Sequence, residues 1–208
     1  MPRFRFIEPC QSIPRDRPPK GADWIHEVKF DGYRVQLHKR GDAAVVFSRN
    51  GLDFTRRYGA IARALARMRV KSVILDGELA ASIEGIPRLR ALRGKRPAPA
   101  IRCAWVFDVL EFNGVDLRSL PLMKRRLRLE RLMHGVELGP IRISEMFEDA
   151  ERLLAACEKR GLRGIVSKRR AAPYGSGRTH SWIKVRCKAW REAKRARKQG
   201  VRPLKTRA

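Results

Sequence analysis

Apolar and polar positions alternate along 24–30 and 33–40 with the two-residue period of β-strands, and 43–48 is a short apolar run that reads as a third strand. Gly41-Asp42 is a turn signal between the second and third, so a hairpin is expected there. The period then changes. Tyr58, Ile61, Leu65 and Met68 recur three and four apart, which predicts a helix over 55–69 with arginines on its outer face. Residues 72–79 read as a strand again. Residues 81–100 carry Gly85, Pro87, Gly94, Pro97 and Pro99 and predict an irregular basic connection, a flap. The apolar run 104–112 predicts a strand ended by an Asn113-Gly114 turn. Pro121 marks the start of a basic helix over 122–133. A short strand over 141–144, a helix over 145–160 stopped by Gly161, and strands over 164–169 and 181–187 complete the pattern. Pro9, Pro14, Pro18 and Pro19 make residues 1–23 an extended lead-in. Hairpins with interspersed helices predict an α+β fold of antiparallel β-sheets with flanking helices, not a doubly wound parallel one.

Composition adds a partner. Among 208 residues, 48 Lys and Arg face 21 Asp and Glu, a formal net charge of +27. That excess exceeds what solubility requires and points to a polyanion, nucleic acid first; a generally basic proteome is the plainer reading. The charge is densest at one end, where residues 186–208 hold ten Lys and Arg against Glu192 alone. We expect one domain over 1–188 and a basic tail over 189–208, helical over 189–198 and disordered beyond Gly200. Lys188, Arg191, Lys194 and Arg195 are its candidate DNA contacts. The four cysteines form no metal-binding spacing with the four histidines and read as reduced thiols. No apolar run is long enough for a membrane helix, and no signal-peptide core follows the basic Met1 to Arg5. A cytosolic, nucleoid-associated protein is expected.

The candidate chemistry lies in Glu27-Val28-Lys29-Phe30-Asp31-Gly32-Tyr33-Arg34. On a strand, Glu27, Lys29 and Asp31 share one face and Val28 and Phe30 the other. Gly32 follows where a backbone needs close approach, and Arg34 offers a forked donor for phosphate or carboxylate. The same spacing fits a plain surface ion-pair array. Neither a Gly-x-x-x-x-Gly-Lys-[Ser/Thr] loop nor a Gly-x-Gly-x-x-Gly helix start is present, so a bound nucleotide would be held by side chains on strands.

Lys29-Phe30-Asp31-Gly32-Tyr33-Arg34 resembles the Lys-x-Asp-Gly-x-Arg motif of the covalent nucleotidyltransferases. Further motifs follow in order: Ser48-Arg49-Asn50-Gly51, Asp76-Gly77-Glu78, Val106-Phe107-Asp108-Val109-Leu110, Gly164-Ile165-Val166-Ser167-Lys168 and Trp182-Ile183-Lys184-Val185-Arg186. With the phrases around 48–58, 117–126 and 174–186, the chain resembles, over about 7–190, the adenylation domain of ATP-dependent DNA ligases. The likeness extends to the ligase module of bacterial non-homologous end-joining enzymes.

The resemblance implies ATP and Mg²⁺, with Lys29 as the nucleophile that carries AMP as a phosphoramidate. It implies nucleotide contacts from Glu27, Arg34, Arg49, Glu78, Phe107 (stacked on adenine), Lys168, Lys184 and Arg186, and metal contacts from Glu78 and Asp31. Arg49 and Arg178 would contact nicked or broken DNA, in strand joining for repair or recombination.

Three departures qualify it. Arg163 stands where the family has a metal-binding glutamate. Arg186 replaces the second lysine of the last motif. The sequence stops where the family continues into an OB-fold domain, so no OB-fold domain is expected within it. A separate OB-fold or end-joining protein is the implied partner. The rival reading is a catalytically impaired ligase-like module that holds DNA ends or nicks without sealing them.

Overall fold

The computed structural model describes residues 4–83, 86–87, 101–134 and 139–198. The expected flap therefore falls mostly outside the described residues, as does everything beyond residue 198. Two sheets form the scaffold. The smaller runs in the order β1 (Cys10–Arg15), β11 (Gly177–Arg186), β10 (Gly164–Arg169), β2 (Trp24–Val28). The larger runs β4 (Ala43–Ser48), β3 (Tyr33–Arg40), β5 (Ser72–Ile83), β7 (Ile101–Phe112), β8 (Val115–Asp116); β6 (Ile86–Pro87) pairs with β5, and β9 (Ile141–Ile143) with β7. Pairing is antiparallel except for β1 with β11 and β7 with β9, so the expected antiparallel sheets are mixed at these two places.

The helices are shorter than their periodicity suggests. Helix α1 spans Gly59–Ala66 and buries Ile61, Ala62, Ala64 and Leu65 on the larger sheet. Helix α2 covers Leu122–Met133 as expected. Helix α3 spans Ala150–Lys159, not 145–160, because Asp149 caps it by accepting from the Arg152 N–H and Phe147 is taken into a backbone bridge with His26. The basic segment after β11 opens with α4, Lys188–Lys198. Glu158 accepts its first free N–H groups, those of Lys188 and Ala189, at 2.7 and 2.9 Å.

Three apolar clusters hold the layers. The largest lies under α1 and α2 around Leu37, Leu65, Leu75 and Val109. A second joins the sheets through Cys10, Ile74, Phe107, Leu110, Tyr174 and Trp182. A third packs α3 and α4 on the smaller sheet through Leu153, Cys157, Ile165 and Val185, with Trp190 against it.

Helix α2 does not keep all its arginines outside. Arg125 is fully buried and forks onto the equally buried Asp108 of β7, with Nε and Nη2 at 2.8 and 2.9 Å from its carboxylate. Its Nη1 donates to the carbonyl oxygens of Leu120 and Ala172. Removing one partner of such a pair strands a buried charge. Arg125→Met is expected to cost about 3–5 kcal/mol, read as a lower urea midpoint with the slope unchanged. A loss below about 1 kcal/mol would mean that water reaches Asp108.

Candidate active site

The connection between β2 and β3 crosses from the smaller sheet to the larger, and Lys29 sits at its start. The Lys29 N–H donates to the Gly164 carbonyl at 2.8 Å, which anchors that end to β10. At the other end the Gly32 N–H donates to Glu78 Oε1 at 3.1 Å. A Cβ on Gly32 would lie 1.9 Å from the Leu79 carbonyl oxygen, so only glycine lets the chain approach β5 this closely. Lys29 and Glu78 are thereby fixed on the wall of one cavity of about 490 Å³ between the sheets. Arg49, Arg163, Lys184 and Arg186 line it as well.

Burial lowers the Lys29 pKa below the usual lysine value, and Arg163 and Arg186 push the same way while Glu78 and Asp31 oppose. Burial also raises Glu78, with Lys29 and Arg34 opposing. The site therefore shifts Lys29 toward the neutral amine, the state a nucleophilic lysine needs. Lys184 is lowered by burial and then by Lys29 and Arg186, and its Nζ donates to the Ser12 carbonyl at 2.7 Å. Burial and Arg163 together lower Arg186.

The other expected site residues are placed as follows. Arg34 faces the cavity, but Nε and Nη2 both bond Asp76 at 2.6 Å, and the Tyr174 hydroxyl donates to the same carboxylate. The fork read as a phosphate donor is thus taken up inside the fold. Glu27 does not face solvent beside Lys29: it is buried, accepting from Lys168 Nζ at 2.7 Å and from the Ser144 hydroxyl at 2.9 Å. Lys168 lies 4.1 Å from the ring centroid of the buried Phe107 and 4.3 Å from that of Trp182. These groups line a narrow second cleft of about 70 Å³, which Lys29 and Glu78 also line. Trp182 went unassigned in the sequence, although it shares the strand face of Lys184 and Arg186.

Asp31 is ion-paired with Arg163 at 2.9 Å. The pairing sets a guanidinium beside the carboxylate that was expected to hold a metal. Among the described residues no group of three ligating side chains gathers. Glu78 remains, and one carboxylate with nucleotide phosphates and water suffices for a Mg²⁺ that arrives on a triphosphate.

Of the expected DNA contacts, Arg49 bonds Gln11 at the cavity wall, and Arg178 is exposed near the start of β11. Lys188 lies beside Glu192 and Arg191 beside Asp16, and Arg195 is exposed. The side chain of Lys194 lies outside the described ones. No described helix is long and apolar enough to cross a membrane.

Comparison with known proteins shows the family. The family described as ATP dependent DNA ligase domain matches residues 7–186. The multifunctional non-homologous end joining protein LigD of Pseudomonas aeruginosa is 36% identical over 195 residues, covering 92% of this chain and 23% of that protein. A probable DNA ligase of a Nocardioides species is 34% identical over 171 residues, covering 80% of this chain and 34% of that one. The chain thus spans about a quarter to a third of these relatives. Among solved structures, a mycobacterial DNA ligase D complexed with ATP superposes with a TM-score of 0.78 at 27% identity, covering 88% of this chain and 62% of that one. The ligase domain of Mycobacterium tuberculosis LigD gives 0.76 at 29%, with 88% and 61% covered. By its matched length, its ordered motifs and its fold, the chain belongs to the family of ATP-dependent DNA ligase domains.

Proposed function

We propose that this chain carries out the adenylation chemistry of DNA strand joining in repair or recombination. The observation that carries the proposal is Lys29, half-buried on the cavity wall, shifted toward its neutral form, and surrounded by cations suited to a triphosphate. Lys29 Nζ attacks the α-phosphorus of ATP, a P–N bond forms, the bond to the bridging oxygen breaks, and pyrophosphate leaves. AMP then passes to the 5′-phosphate at a nick, and the 3′-hydroxyl displaces it. Arg163, Lys184 and Arg186 stabilise charge on the phosphates throughout. The cleft between Glu27–Lys168 and Phe107 takes the base. Mg²⁺ bound with the triphosphate would supply further charge neutralisation, with Glu78 as its carboxylate. Nicked duplex DNA, a bacterial cytosolic setting and cooperation with a separate OB-fold or end-joining protein complete the reading. Incubation with α-³²P-ATP, then a denaturing gel, tests it. A labelled protein band is expected. Folded protein that never labels would favour a module that binds DNA ends without sealing them.

The charge of +27 also predicts sequence-independent DNA binding that weakens steeply with salt. Replacing Arg191, Lys194 and Arg195 by glutamine should flatten the log–log salt slope by about 0.9 for each phosphate that is no longer neutralised. An unchanged slope would place α4 off the DNA.

A further inference from the structure

Trp190 of helix α4 touches two arginines of the candidate active site. The Arg186 guanidinium carbon lies 4.2 Å from the Trp190 ring centroid and that of Arg163 lies 5.3 Å from it. Both arginines line the cavity above Lys29. They come from different elements, Arg163 from the turn before β10 and Arg186 from the end of β11. Two guanidinium groups so close repel each other, and Arg163 is among the causes that lower the pKa of Arg186. Their Nε atoms are buried without a hydrogen-bond acceptor among the described residues. The electron-rich ring against both offsets that repulsion. Trp190 in turn packs on the cluster of Leu153, Cys157, Ile165 and Val185, and the Glu158 contacts fix the start of its helix.

We propose that Trp190 is a positioning residue of the nucleotide site: it holds Arg163 and Arg186 as a preformed pair of cations for the triphosphate. The basic segment after β11 is then part of the site as well as a DNA-binding surface. The inference rests on the adenylation reading for its ligand, since a triphosphate is what two fixed guanidinium groups at this end of the cavity would recognise.

The test compares Trp190→Ala and Trp190→Phe with the wild type, all as full chains. Affinities for adenosine and for α,β-methylene-ATP, which cannot transfer AMP, are measured by calorimetry. Trp190→Ala should weaken the triphosphate by about tenfold, the cost of disordering a charged contact. Adenosine should bind it as it binds the wild type. Trp190→Phe keeps a ring face and should stay within about threefold for both ligands. Unchanged triphosphate binding in the alanine variant would overturn the assignment. So would an equal loss for both ligands with a lower melting temperature, which marks Trp190 as packing alone. Should the wild type bind the triphosphate but never form the lysyl adduct, the adenylation reading falls. The Trp190 assignment would still be decided by the difference between the two ligands.

Discussion

Lys29→Ala should form no covalent AMP adduct while melting like the wild type and keeping its DNA affinity. The rate loss should be on the order of 10⁶, the scale on which an enzyme slows when its covalent nucleophile is removed. Lys29→Arg sharpens the result. Arginine preserves length and charge but stays protonated, so it has no lone pair for phosphorus, and it should be as inactive as alanine. Among the described residues the cavity offers one rival amine. Lys184 is also depressed, yet its Nζ is committed to the Ser12 carbonyl. Lys168 is buried against Glu27. An adduct that survives in Lys29→Ala should therefore be mapped by peptide mass. Finding it on Lys184 would move the nucleophile to β11 and overturn the site assignment.

The parts of this site that were legible in the sequence are those whose geometry is local. Lys29 and Gly32 sit three apart on one turn, and Lys184 and Arg186 alternate on one strand. Motif order was enough to bring Glu78 to them. The unread parts are pairings across long stretches of chain. Glu27 meets Lys168 at a separation of 141 residues, and Arg34 meets Asp76 at 42. No spacing rule reveals whether a charged side chain spends its charge inside the fold or on a ligand. Strand β1 was hidden for the same reason: it is a proline-containing segment whose partner, β11, lies at the other end of the chain. The buried Arg125 was missed because arginine on a basic helix reads as solvent-facing until its acceptor, Asp108, is known. Asp149 is different. An aspartate before an apolar-periodic run is a local cap signal that would have set the start of α3 from sequence.

Arg163→Glu should turn a weakly metal-dependent adenylation into a steeply metal-dependent one. In the wild type Arg163 pairs with Asp31 at 2.9 Å, with both side chains about a quarter exposed at 28% and 26%. A pair this accessible contributes at most about 1 kcal/mol, so the variant should fold normally. The electrostatic change is larger than the structural one. One positive charge leaves the phosphate end, one negative charge enters, and Asp31 loses its partner. Without divalent cation, three neighbouring carboxylates, those of Asp31, Glu78 and the new side chain, repel the triphosphate. ATP should then bind more weakly than to the wild type. With Mg²⁺ the same three groups provide the oxygen ligands that the wild type cannot assemble. Calorimetric ATP affinity across a Mg²⁺ titration should cross that of the wild type. Single-turnover adduct formation at saturating Mg²⁺ should rise by about a hundredfold, the size of effect that correct placement of the reacting groups supplies. Slower adduct formation at every Mg²⁺ concentration would show the opposite. Arg163, held between Asp31 and Trp190, would then be the cation this site uses for phosphate, and an impaired module would no longer be a competing reading.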